Sequence, residues 1–186
     1  MTLDKYLIAH CSPTLASLKT ANMFTCRYES EAGLQAAVAA WNELFDEKGV
    51  SLLVLRESDG LALIYVCRKK RLGRDLQQPG VQEFLHEYGY DRTDVDGALC
   101  TLQQRLAEQD GFPHEIGIFL SYPLADVRGF IDNAGANSLC TGCWKVYCNE
   151  CEAVKMFNRF KKCREVYSRL YASGSRDILQ LTVNVG

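Results

Sequence analysis

Apolar side chains recur at helical spacing after Ser30. Leu34, Ala37, Val38, Trp41, Leu44 and Phe45 form one stripe, and Lys48-Gly49 closes it, so the pattern predicts an amphipathic helix. Val50 to Arg56 and Leu61 to Arg68 are nearly continuous apolar runs around Asp59-Gly60, the signature of a β-hairpin buried on both faces. Pro79 opens a short helix with Val81, Phe84, Leu85 and Tyr88 inward, and Gly89 stops it. Thr93 to Asp96 resembles a capping box ahead of a stripe of Val95, Leu99, Leu102 and Leu106. From Glu150 a long seam runs through Ala153, Met156, Phe160, Cys163, Tyr167 and Leu170, ending at Gly174.

Three shorter runs are read as strands. Tyr6 to His10 is a short strand, with a single helical turn as the alternative, running into a helix that starts at Ser12-Pro13. Ile116 to Leu120 is a buried strand feeding a helix with Val127, Phe130 and Ile131, a βα unit of a partly parallel sheet. Ile178 to Val185 adds a last strand at a sheet edge. The elements sum to an α/β or α+β chain. Residues 1–186 are expected to form a single layered domain, a mixed and mostly buried sheet flanked by several helices, with residues 174–186 as a tail.

The 186 residues are 47% hydrophobic and 24% charged, values that exclude default disorder. No apolar run approaches the roughly 18 residues of a spanning helix, and the N-terminal run is too short for a signal peptide. The expectation is a cytoplasmic protein without membrane insertion. Its nine cysteines, an odd number, are then free thiols or metal ligands. A net charge of −2 gives no general pull toward nucleic acid. The charge is unevenly spread, because residues 144–176 hold eight basic and three acidic side chains. Arg68, Lys69, Lys70 and Arg71 with Arg74 form a second basic cluster, read as a solvated face, with a docking patch as the alternative.

Three constellations carry chemistry. Cys140-x-x-Cys143 and Cys148-x-x-Cys151 supply four thiols for a zinc or iron site, but only four residues separate the pairs, against the ~15–20 usual for four-cysteine zinc. If Trp144 to Tyr147 is extended, the pairs point apart. A redox pair such as Cys140/Cys143 is the other use, and packed thiols the plain one. His10-Cys11 with Lys19 has the composition of an activated nucleophile, and a Cys11 just before a helix N-terminus would favour a thiolate. His114-Glu115 offers an acid/base or ligand pair. Ligand crevices at the carboxyl ends of parallel strands favour instead Ser121-Tyr122 and His10-Cys11-Ser12. No nucleotide-binding or common hydrolase motif is present.

His10-Cys11-Ser12-Pro13-Thr14-Leu15, Lys19, Ala21 to Phe24, His114 to Pro123, Trp144-Lys145-Val146-Tyr147 and Lys162-Cys163-Arg164 together resemble an uncharacterised domain-of-unknown-function family of anaerobic, clostridial-type bacteria, over nearly the whole chain. The resemblance implies a cytoplasmic protein of anaerobic metabolism, with genes near flavodoxin-like and iron-uptake genes. It also implies glycine at position 148 and no cysteine at 151, a departure that weakens the four-cysteine site. His10, Lys19, His114, Glu115 and Trp144 match the pattern.

The leading expectation is a pocket for a small molecule, metal or cofactor, thiol/redox or iron related, with zinc, iron or a redox cofactor left open. His10, Cys11, His114 and Glu115 are its catalytic candidates. Ser12, Thr14, Lys19, Ser121, Tyr122 and Trp144 are its ligand-binding candidates. The first alternative is a non-enzymatic adaptor docking an acidic redox partner through the basic C-terminal helix. The second is a structural zinc protein using Cys140, Cys143, Cys148 and Cys151.

Overall fold

The computed structural model describes residues 2–108 and 111–184. In chain order the elements are α1 (Asp4–Leu15), β1 (Ala21–Arg27), α2 (Glu31–Phe45), β2 (Ser51–Ser58), β3 (Leu61–Cys67), α3 (Lys69–Leu76), α4 (Val81–His86), α5 (Val95–Glu108), α6 (Ile116–Phe119), α7 (Leu124–Asp132), β4 (Cys140–Thr141), β5 (Lys145–Val146), α8 (Glu150–Ala172) and α9 (Ile178–Leu181). The class is mixed α/β, as the patterning predicts. Backbone contacts gather into two units: residues 1–71 with 162–186, and residues 72–161. Among the described residues no helix is long and apolar enough to cross a membrane.

The first unit is built on a three-stranded sheet of order β1-β3-β2, antiparallel throughout. The predicted hairpin is its centre. Asp59 and Gly60, with φ of 51° and 72°, make the left-handed two-residue turn that Asp-Gly favours. Pairing runs from Ser51↔Cys67 to Ser58↔Leu61, with a register shift between Val54 and Arg56. Phe24, Cys26, Leu52, Ala62, Ile64 and Val66 join one core with Leu7, Cys11 and Leu15 of α1, Leu34, Val38 and Phe45 of α2, and Ile178 and Leu181 of α9. α2 starts where predicted, the Ser30 hydroxyl accepting from the Gly33 amide at 3.2 Å. Leu44, placed on its inner stripe by spacing, is half exposed at 50%.

Several expectations are corrected. Tyr6 to His10 is part of α1, not a strand. The buried positions Leu7, Ile8, Cys11 and Leu15 have helical spacing that a five-residue window does not reveal. Pro13 lies inside the last turn of α1 rather than at a first position, so Cys11 is mid-helix and not at an N-terminus. The C-terminal segment holds no strand among its described residues. Residues 178–181 form α9, and Asp177 and Gln180 close a capping box there; Val185 lies outside the described residues.

The basic run 68–71 is not simply a solvated face. Arg68 is 3% exposed and donates to four backbone carbonyls. Its Nε reaches Thr14 O at 2.8 Å, Nη2 reaches Leu15 O and Val183 O at 2.8 Å, and Nη1 reaches Lys48 O at 2.9 Å. Two of these lie at the C-terminus of α1, where Thr14 O also accepts from the Ser17 amide and Leu15 O from the Val183 amide, both at 3.0 Å. Arg71 donates to Ser17 O, while Lys69 and Lys70 are exposed.

The second unit is mainly helical, with the two-residue pair β4-β5 as the one hairpin among its described residues. Leu72, Leu76, Val81, Phe84, Leu85, Leu99, Leu102 and Leu106 are buried, as their helical spacing predicts. Asp94 caps α5 by accepting from the Gly97 amide at 3.1 Å. Ile116 to Leu120 is not a strand. It forms α6, and with it the parallel βα unit disappears. Five apolar residues give no period by which to separate the two, and here the segment sits between Pro113 and Pro123.

Candidate functional site

The end of α6 fixes the most distinctive local geometry of the second unit. Ser121 is left-handed, with φ of 57°. Its amide donates to Ile118 O at 2.9 Å, and the Tyr122 amide donates to Gly117 O at 2.9 Å. These two bonds are a Schellman stop with serine in the position that usually holds glycine. Gly117 has a different constraint: a Cβ there would lie 2.7 Å from Val127 Cγ2 and 3.1 Å from Tyr122 Cδ2. The close approach of α6 to α7 therefore needs glycine.

The turn opens into a cleft of about 300 Å³. Ser121 and Tyr122 line it together with Asp75, Gln78, Val81 and Leu124. Tyr122 is held from behind. Its hydroxyl donates to Cys143 O at 3.2 Å, and its ring stacks on Trp144 at 4.8 Å and 26°. Burial pushes the phenol up to about 12, and nearby Cys143 adds to the rise. Trp144 in turn meets Phe157 of α8 edge-on at 4.6 Å.

Beneath this aromatic stack lies Asp126, 2% exposed, on the first turn of α7. Its Oδ2 accepts from Trp144 Nε1 at 2.8 Å. Its Oδ1 accepts from the amides of Tyr147 at 2.7 Å and Cys148 at 2.9 Å. One carboxylate thereby fixes the indole and the chain between β5 and α8. Gly129, one turn further along α7, leaves room for the Tyr147 ring, which would lie 2.5 Å from a Cβ there.

The four cysteines lie around this corner. Cys140 starts β4, Cys143 sits in the hairpin turn, Cys148 precedes α8 and Cys151 lies in its first turn. Cys140, Cys143 and Cys148 are half-buried and Cys151 is exposed. The Cys148 thiol is raised by desolvation, then by its bond to Asp126 and that carboxylate's charge. The Cys140 thiol is raised by desolvation, then by the charge of Glu150, a bond to it, and the charge of Asp126. Among the described residues no three His, Cys, Asp or Glu side chains are grouped to hold a metal ion.

His114 and Glu115 part company, as adjacency predicts, though in a turn rather than a strand. His114 is exposed, edge-on to Phe130 at 5.0 Å. Glu115 is 1% exposed, bound to Arg105 Nε at 2.5 Å and accepting from Tyr90 OH at 3.2 Å. The remaining candidates belong to the first unit. Ser12 donates to Ile8 O of its own helix, and Thr14 donates to Asn22 Oδ1 at 2.8 Å. His10 is exposed and stacks on Phe24 at 5.9 Å. Lys19 is buried at 5%. Cys11 is fully buried, and desolvation raises its thiol well above the usual range despite the opposing charge of Lys19. The helix terminus invoked for a Cys11 thiolate is absent, and a mid-helix thiol in the core stays protonated.

Of the sequence candidates, the fold brings Ser121, Tyr122 and Trp144 together with the C-x-x-C cysteines. Asp126 was missed, because an acid in the first turn of a helix ordinarily reads as a complement to its dipole. Asp75 and Gln78 carry no sequence signal at all. A family profile described as "Protein of unknown function (DUF3793)" matches residues 7–182. No curated protein and no solved structure matches the chain.

Proposed function

The chain belongs to that family of unknown function, and we propose that it binds a small polar molecule in the cleft at Ser121 and Tyr122. The observation that carries this reading is Ser121 itself. A left-handed serine is strained relative to glycine, and this one lines the cleft. Tyr122 beside it is rigidly backed by Trp144 and Cys143 O, so the wall is formed in advance of a ligand. The lining suits a small polar or polyhydroxylated molecule: polar Asp75, Gln78 and Ser121 line it beside apolar Val81, Ile118 and Leu124. A cytoplasmic setting in anaerobic thiol- or iron-linked metabolism is part of the proposal and rests on the motif resemblance and the nine cysteines.

The test is an amide NMR titration with a panel of small amines and sugars. Shifts centred on residues 117–124 that vanish in Tyr122→Ala and Ser121→Val support the cleft. A panel that moves no amide there, or moves them equally in both variants, refutes it.

A second reading has one observation in its favour. Arg159, Lys162 and Arg169 of α8 are all exposed, as a docking face for an acidic protein would require. Pull-down of an acidic partner that weakens steeply with salt and with charge reversal at these positions supports it, and a salt-independent interaction refutes it.

A further inference from the structure

We propose that the outer edge of β1 docks an extended peptide of alternating acidic and apolar residues, which adds a further strand to the three-stranded sheet of the first unit. The pairing register fixes which backbone groups face outward. The Arg68 amide donates to Thr20 O and the Tyr28 amide to Gly60 O, both at 3.0 Å. Antiparallel ladders alternate, so the β1 residues that exchange hydrogen bonds with β3 are Asn22, Phe24 and Cys26. The N–H and C=O groups of Met23, Thr25 and Arg27 therefore point away from the sheet. Among the described residues no backbone or side-chain group bonds them there. Thr25 and Arg27 are exposed, and Met23 is half-buried.

The opposite edge of the same sheet is closed. By the same alternation the N–H and C=O of Leu52 face outward from β2, and the Asn42 side chain takes both. Its Nδ2 donates to Leu52 O at 3.0 Å, and its Oδ1 accepts from the Leu52 amide at 2.7 Å. The register shift between Val54 and Arg56 interrupts the rest of that edge. Unpaired edges invite strand addition, and proteins block those they do not use. One edge blocked and one left open confines addition to β1.

The surroundings of β1 choose the occupant. α1 covers one face of the strand: Leu7, Cys11 and Leu15 share a core with Phe24 and Cys26, and the rings of Tyr6 and His10 stack on Phe24 at 17° and 20°. Antiparallel addition of β1 from a second copy would bring that copy's α1 onto the same face, displaced by one strand spacing of ~4.8 Å. Two packed helices need about 8–10 Å, so a second copy does not fit in this mode, whereas a lone extended segment does. The side chains of such a segment alternate between two environments. Those on the α1 side meet half-buried Tyr6 and exposed His10, rings that suit apolar residues. Those on the other side lie beside Thr25 and Arg27. Arg27 has no ion pair among the described residues, so a carboxylate opposite it supplies the missing charge.

The probe is the peptide acetyl-Phe-Asp-Phe-Asp-Phe-amide, titrated into the full chain and followed by amide NMR and hydrogen exchange. In the free protein the amides of Met23, Thr25 and Arg27 are expected to exchange faster than those of Asn22, Phe24 and Cys26. The peptide is expected to shift and protect the outward-facing set and to leave the inward-facing set unchanged. Methylating the Asp nitrogens, which pair with β1, should weaken binding about 10-fold or more, as loss of those donors implies. Replacing both Asp residues by Lys should weaken it as well. Thr25→Pro removes the central outward donor, spares the bonds to β3, and should bind the peptide about 10-fold more weakly. If that variant does not fold, the methylated peptide decides. Outward-facing amides unmoved by millimolar peptide, or equal binding of the methylated or Lys peptide, overturn the proposal. Protection of those amides that rises with protein concentration alone overturns it too, in favour of self-pairing.

Discussion

Arg68 and Asp126 are deeply enclosed charged groups, one in each unit, at 3% and 2% exposure. Neither has an opposite charge as its hydrogen-bond partner among the described residues. Arg68 is solvated by four carbonyls and Asp126 by an indole and two amides. The partners separate their roles. Those of Arg68 are the ends of segments: the last turn of α1, the turn before β2, and the chain after α9. Those of Asp126 are the residues that build a working corner, Trp144 behind the cleft and Cys148 at the head of α8. A buried charge held by neutral groups can thus close an architecture or compose a site, and only the identity of its partners tells which.

The comparison is most exposed to failure at Arg68. Arg68→Met is expected to lower unfolding free energy by about 3–5 kcal/mol, because it removes four hydrogen bonds that tie three segments together. Urea unfolding with an unchanged m-value checks this. Arg68→Lys should recover only part of the loss, since one ammonium cannot serve three segments. Asp126→Asn is expected to cost less, about 1–3 kcal/mol. It should also shift Trp144 fluorescence to longer wavelength, an optical change that Arg68 variants should not share. Equal stability losses and equal spectral changes would erase the distinction.

A pH series sharpens the Asp126 side. Because the folded Tyr122 phenol titrates at about 12, above its usual ~10, folding is indifferent to it at lower pH. Above about 10 the unfolded phenol ionises first, so stability falls between pH 10 and 12. Tyr122→Phe should remove part of that decline, as seen in unfolding curves collected across the range. The smallest expected effect is at Ser121. Ser121→Gly relieves left-handed strain and should raise the unfolding free energy by up to about 1 kcal/mol, while weakening ligand binding at the cleft. A destabilised glycine variant would show that the serine serves the fold rather than the site.

What could be read in advance follows from how local each cause is. Ser30 to Phe45 and the hairpin were legible because a capping hydroxyl, a long apolar period and Asp-Gly act within a few residues. Tyr6 to His10 and Ile116 to Leu120 were not, since five apolar residues carry no period and their helical hydrogen bonds depend on neighbours outside the window. Ser121 and Tyr122 were named for a reason that the structure removes: they end a helix, not a parallel strand. Arg68 was hidden in a run of charges, because burial of a guanidinium depends on carbonyls brought from residues 14, 48 and 183. Asp126 was hidden for the same physical reason, its partners lying 18 to 22 residues away.

The chain order of the two units has a consequence for biosynthesis. Residues 72–161 interrupt the first unit, whose core needs Ile178 and Leu181 and whose buried guanidinium needs the carbonyl of Val183. A ribosome delivers the interior unit whole while the unit that began first still lacks its closing segment. The nascent β-hairpin must therefore wait, its apolar face uncovered by α9, until residues 178–183 have been made. Loss or late delivery of residues 178–183 would fall on the first unit and spare the corner built around Asp126.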